Sequence, residues 1–200
     1  MSLLLSSAYN LFWLGRYMRR TQELVNVMEL DAEDLPPKLR YLGWPETLLT
    51  EEMLREHLLE TALPQHFEYI NDNVQVVRGV IDADAAELFN QIKRFSQAGS
   101  THAAYFQVYA CAAAMLDQKT PYTTLFWQLG DYVEMLDCRI RENRAESHHY
   151  RRLADIVTSL PGGTAWDRIK QQVQAMVYTT DPRQYYRWRK RLIQLFEDGV

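Results

Sequence analysis

Nearly the same helical phrase occurs twice in the chain, as LFWLGRYM at residues 11–18 and as LFWQLGDYV at residues 125–133. Aligning Gly15 with Gly130 sets Leu14 over Leu129, Tyr17 over Tyr132 and Phe12 over Trp127. Inside a helix, glycine costs about 1 kcal/mol relative to alanine. A glycine at one level of both copies therefore implies that another backbone or a bulky ring passes close by. The favoured reading is a pair of core helices in a pseudo-symmetric bundle, packed in the same way. The competing reading makes the polar residues of the two copies a catalytic constellation.

Helical spacing governs the rest of the chain, and Val/Ile/Thr-rich segments of strict period two are absent. The expectation is an all-α, single-domain bundle over residues 1–200, with seven to nine helices and an imperfect internal repeat. A first helix is expected from Ser7 to Met28, with Leu11, Leu14, Met18, Val25 and Met28 on one stripe. Pro36, Pro37, Gly43 and Pro45 then favour a long connection over about residues 31–46, held to the core by Tyr41 and Trp44. Pro64 interrupts or restarts the next helical stretch, and Asp82 and Thr101 sit at cap positions of the following two. Thr120 and Pro121 open a helix expected to pass Asn143 and extend to a break at SLPGGT. Thr164 and Asp167 have nearly capping-box spacing, and Asp181-Pro182 starts a last helix with Tyr185, Trp188, Leu192 and Leu195 on its apolar stripe.

Composition narrows the partners. With 26 acidic and 22 basic residues the formal charge is −4, which supplies no global attraction to nucleic acid or to an anionic membrane. No uninterrupted apolar segment reaches the roughly 20 residues of a membrane span. Near the start, Arg16, Arg19 and Arg20 follow the apolar stretch instead of preceding it, the reverse of a secretory leader. Cys111 and Cys138 lack a CxxC partner and read as reduced, buried side chains, so the expected location is cytoplasmic.

Chemistry concentrates after the second phrase. Gly130, Glu134, Asp137 and Arg141 are spaced by four, three and four residues and share one helix face. If the two repeated helices face each other, these carboxylates meet Arg16, Arg19 and Arg20, in pairs that fix register. Glu134 and Asp137 are also the candidates for a catalytic acid and base. None of His57, His66, His102, His148 and His149 is read in an HExxH or an ExxH spacing, so the ligands of a helical zinc protease or a di-iron bundle are not expected and no metal ligands are assigned. No GxxxxGK[ST] or GxGxxG loop is present, Gly162-Gly163 reads as a turn, and no cofactor is expected. In YYRWRKR of the last helix, Arg187, Arg189, Lys190 and Arg191 read as an ordinary solvated cluster or a surface for an acidic protein. Nucleic-acid binding there is the less favoured reading, since it requires Tyr185 and Trp188 to be exposed.

AYNLFWLGRYMRRTQ resembles the opening motif of the bacterial alpha-E domain family, a segment like NLYWLGRYxERAE. NDNVQVVRGVIDADAAELFN resembles a second family stretch through Asn73, Val77, Arg78, Ile81, Glu87 and Asn90. LGDYVEMLDCRIR resembles a third through Leu129, Gly130, Glu134, Asp137 and Arg141. The chain departs from the family pattern at Arg19 and Gln22, where the two glutamates of the first motif stand, and at Asn26, Gln75, Ala86 and Met135. It is also shorter than typical members. The resemblance implies a helical fold with Arg16, Arg78, Glu134, Asp137 and Arg141 as a polar network between helices. It further implies a non-catalytic accessory or protein-binding module of an ATP-dependent amide- or peptide-forming system. The implied partners are a circularly permuted ATP-grasp-type protein or a transglutaminase-like protein. The alternative is an enzyme of amide or peptide chemistry using Glu134 and Asp137, made less attractive by the missing first-motif glutamates. The alanine-rich segment HAAYFQVYACAAAML offers a surface for a homo-oligomer without requiring one.

Overall fold

The proline-rich connection contains a helix of its own. The computed structural model describes residues 5–27, 30, 33–44 and 50–198. Met28 and Pro45 lie outside the described residues. The first helix, α1, spans Leu5–Asn26, and α2 spans Leu35–Leu42. Pro36 and Pro37 fall in the first turn of α2, where a missing N–H breaks no intrahelical bond. Gly43, at φ 73°, closes the helix by donating to the Arg40 carbonyl at 3.1 Å, and Trp44 donates to Leu39 at 2.9 Å. The expected placement of the aromatics is met: Tyr41 is buried and Trp44 packs against the core.

Pro64 neither ends nor restarts a helix. Helices α3 (Glu51–His57) and α4 (Leu63–Val77) are continuous through a π-turn at Leu58–Ala62. The proline ring crowds the carbonyl four residues earlier, and a wider turn just upstream accommodates that and the missing donor. Counting Glu51–Val77 as one helix gives nine among the described residues, with no strand among them.

Helices α5 (Ala83–Gln97), α6 (Thr101–Leu116) and α7 (Pro121–Arg141) follow. The N-cap of α6 is Ser100, one residue before the expected Thr101. Asp82 precedes α5 as expected but ties it elsewhere: its Oδ2 accepts the Lys119 N–H at 3.1 Å, and its own N–H donates to Gln118 Oε1 at 2.7 Å. Thr120 and Pro121 start α7, which stops short of Asn143. Asn143 takes a left-handed φ of 56° and donates to Ile140 at 3.1 Å, so the helix closes and the chain turns. A separate helix, α8, spans Ser147–Thr158. One histidine does stand in an ExxH spacing, contrary to the sequence reading: Glu146 and His149 close the start of α8, where the Glu146 N–H donates to His149 Nδ1 at 3.0 Å. In α9 (Trp166–Thr179), Asp167 Oδ2 accepts the Gly163 and Thr164 N–H groups at 2.8 and 3.3 Å, the half of a capping box the spacing implied. Asp181 accepts the Arg183 N–H at 2.9 Å at the start of α10 (Pro182–Glu197).

The α1–α7 pair is the most extensive helix contact and the centre of the bundle. Leu11, Phe12, Leu14 and Met18 of α1 join Leu129, Val133 and Leu136 of α7 in a core closed by Tyr185, Trp188, Leu192 and Phe196 of α10. Among the described residues no helix is long and apolar enough to cross a membrane.

Candidate functional site

The repeated phrases pack against each other. A Cβ added to Gly15 would stand 2.1 Å from the Trp127 carbonyl oxygen, and one added to Gly130 would stand 1.8 Å from that of Phe12. Since Trp127 aligns with Phe12, the two contacts are the same contact seen from each helix. The pairing advances in the same direction on both helices, from Phe12 at Gly130 through Arg16 at Glu134 to Glu23 at Cys138, so α1 and α7 run parallel. This is a local pseudo-two-fold about an axis along the helices, with both glycines at its tightest point.

The charges obey the same relation. Arg19 aligns with Glu134, and Asp131 aligns with Arg16. Arg16 Nε donates to Glu134 Oε2 at 2.7 Å, while Arg19 holds Asp131 through two hydrogen bonds at 2.9 and 2.8 Å. Each helix therefore carries one sign at both levels, cationic on α1 and anionic on α7. Arg19 follows this segregation. A glutamate in place of Arg19 would face Asp131.

Glu134 and Asp137, each 1% exposed, are locked in place. Beyond Arg16, Glu134 receives Arg20 Nε at 2.7 Å and the Tyr41 hydroxyl at 2.5 Å. Asp137 receives Arg16 Nη2 at 2.9 Å and a hydrogen bond from Arg189. Burial raises the proton affinity of Glu134, but the Arg16 and Arg20 charges and the Tyr41 hydrogen bond outweigh it and hold the carboxyl below its ordinary 4.5. Tyr41 is pushed well above the phenol range by burial and by the Glu134 charge, so it stays neutral and remains a donor. Glu134, an ionised carboxylate with both oxygens occupied, has no proton to give and no free lone pair aimed at a substrate. Asp137 takes both of its hydrogen bonds on Oδ2, and its Oδ1 is buried without a hydrogen-bond partner among the described residues.

A second polar knot lies one turn further along. Lys38 of α2 donates to Glu23 at 2.6 Å and to Cys138 Sγ at 3.0 Å, and pairs with Glu142 at 2.7 Å. Burial lowers the Lys38 affinity for its proton, but the hydrogen bonds to Glu142 and Glu23 more than restore it, so the ammonium persists. Burial and the neighbouring Glu23 push the Cys138 thiol up to about 12, and burial takes Cys111 to about 12 as well. Neither is a thiolate near neutrality. Alkylation with iodoacetamide at pH 8, read by intact mass, is expected to leave the folded protein unmodified and to label both cysteines once denaturant is added. Rapid labelling of folded protein at Cys138 would contradict the closed knot.

Of the residues singled out from the sequence, Arg16, Glu134 and Asp137 come together. Arg141 touches the network only from outside, donating to the Tyr41 carbonyl at 3.1 Å. Arg78 does not join it. It is exposed at the end of α4, although the turn that follows is tied to α7 by the Thr123 hydroxyl, which donates to the Val80 carbonyl at 3.0 Å. Arg189 corrects the reading of the last helix: it turns inward to Asp137, while Arg187, Lys190 and Arg191 are exposed. Tyr185 and Trp188 are 0% and 2% exposed, so these two rings of the last helix offer no stacking surface. The residues missed were Tyr41 and Lys38, both delivered by the short helix hidden in the proline-rich stretch.

Beside the Arg19–Asp131 pair, a solvent-connected pocket of about 390 Å³ is lined by Gln22, Trp127, Arg152 and Leu116 among others. Its size is within the range of small-ligand clefts. Among the described residues no group of three or more His, Cys, Asp and Glu is placed to hold a metal ion. Compared with protein-family models, with curated proteins and with solved structures, the chain matches none.

Proposed function

We propose that the protein is a non-catalytic accessory or protein-binding module. The observation that carries this reading is the state of its two best acid–base candidates: Glu134 and Asp137 are buried, and both are held by arginines in the centre of the bundle. A general acid or base must reach a proton on the substrate. Here the carboxylates instead set the register of two helices, which leaves function to the outer surface. The amide- or peptide-forming context, with a circularly permuted ATP-grasp-type or transglutaminase-like partner, rests on the three motifs that resemble alpha-E domains.

The test is co-purification of the full chain from its native cell, followed by mass spectrometry and by reconstitution of the purified pair. An ATP-dependent amide-forming enzyme that binds the chain directly is the expected result. Two results would overturn the reading. One is the recovery of no such enzyme. The other is that the purified chain alone makes or breaks amide bonds and loses that activity in Glu134→Gln while still folded.

A further inference from the structure

We infer that the pocket between α1, α6, α7 and α8 is a binding site for a small monocarboxylate with an apolar body. Gln22 of α1 lines this pocket and is 8% exposed, and its side-chain amide meets no hydrogen-bond partner among the described residues. Burying an amide without a partner is destabilising, and native structures avoid it. Gln22 is therefore a polar group that the packing of the chain alone does not satisfy. Gln128 of α7 repeats the pattern: it is half-buried in the same lining and has no hydrogen-bond partner among the described residues.

Arg152 of α8 supplies the charge. It lines the pocket from the exposed side and makes neither a hydrogen bond nor an ion pair among the described residues. The other two charged groups of the lining offset each other, since Arg19 holds Asp131 through two hydrogen bonds. One cation and two amides remain to be satisfied. A guanidinium takes a carboxylate through two parallel N–H donors, and each amide adds donors of its own. A single uncompensated positive charge suits a monoanion better than a phosphate dianion. The rest of the lining is apolar: Ala112, Ala113 and Leu116 of α6, with Trp127 and Ile156. The absence of Asp, Glu, Lys and Arg from Thr101 to Leu116 of α6 keeps that wall free of charge. A mostly apolar cleft with a few convergent polar groups is the usual make-up of a small-ligand site, and about 390 Å³ is room for a small one. Glu134 and Asp137 are not part of the lining, so the inference is independent of the accessory role and its partner.

The test is a nuclear magnetic resonance titration of the full, nitrogen-15-labelled chain with benzoate, hexanoate and N-acetylleucine, each beside its neutral carboxamide, and with inorganic phosphate. At least one carboxylate should saturate with a Kd of about 1 mM or tighter, shifting the Gln22 and Gln128 side-chain amides and the Trp127 indole. Its carboxamide should bind about tenfold or more weakly, the loss of a charge-assisted pair. Arg152→Gln, at an exposed position, should remove that preference with the far-ultraviolet circular dichroism unchanged. Gln22→Met should weaken the carboxylate by about threefold or more without lowering the thermal midpoint, because it takes an unpartnered amide out of a buried position. A purely structural Gln22 would do the reverse, with a lower midpoint and full affinity. The inference is overturned if none of the three carboxylates saturates, if the carboxamide binds as tightly, or if phosphate binds more tightly. Shifts confined to residues outside the pocket, or an Arg152→Gln variant that binds like the wild type, also overturn it.

Discussion

Gly130→Ala is expected to destabilise the protein by about 3 kcal/mol or more, beyond the usual loss from an overfilled core position. For a chain of this size that lowers the thermal midpoint by about 6–12 °C. The reason is that the added methyl would meet main chain, with the Phe12 carbonyl oxygen at 1.8 Å. A side chain can rotate away from such a contact. Here α1 must be displaced from α7, along the most extensive helix contact of the bundle. Gly79→Ala is the control, because nothing lies within 4 Å of a Cβ there. Urea denaturation of the three proteins decides it, and a Gly130→Ala midpoint equal to that of Gly79→Ala would show that the helices are not in backbone contact.

Glu134→Gln is expected to cost about 3–5 kcal/mol, the range for breaking a buried ion pair from one side. Arg16 and Arg20 would keep their charge with no anion between them, and the new amide cannot accept from both while also receiving the Tyr41 hydroxyl. The same residue governs acid sensitivity. Its folded carboxyl lies below the ordinary 4.5, so between those values the unfolded chain binds more protons and stability rises with pH. The stabilisation is complete above about 4.5 and is lost as pH falls through the lower folded value. Asp131 acts in the opposite sense. Burial raises it from 3.8 despite Arg19, so its folded form takes up the proton first. The comparison of wild type with Glu134→Gln, by urea midpoint from pH 6 to pH 3, isolates Glu134. The variant should lose part of the acid-dependent slope, and identical slopes would contradict the assignment.

The helices were legible because their apolar spacing is local, and the α1–α7 contact was legible because glycine in a helix asks for a reason. The hidden parts share a different property. Helix α2 lay behind Pro36 and Pro37, which mark the end of a helix in most contexts and the first turn of one here. Tyr41 reaches Glu134 across 93 residues of sequence and Arg189 reaches Asp137 across 52, distances over which no periodicity reports a partner. Arg189, four residues after Tyr185 and three before Leu192, shares the face of the buried stripe of α10, a spacing that separates it from Arg187 and Arg191. The repeat suggested like packing at both copies, with the carboxylates of one meeting the arginines of the other if the helices face each other. The fold places the copies face to face, where like charges would repel and opposite ones fix the register.

That face-to-face register is the central claim, and a charge exchange tests it most directly. Arg19→Glu alone sets two carboxylates against each other, and Asp131→Arg alone sets cations together, so each should lose about 1–3 kcal/mol. Combined, the arginine introduced at position 131 would reach the glutamate introduced at position 19 as Arg16 already reaches Glu134, one level across the pseudo-two-fold. Urea denaturation of the wild type, both single variants and the double variant completes the cycle. The paired register predicts that the double variant recovers most of the loss of the two single changes. Losses that simply add would show that Arg19 and Asp131 do not meet, and the parallel, self-matching pairing of α1 with α7 would be wrong.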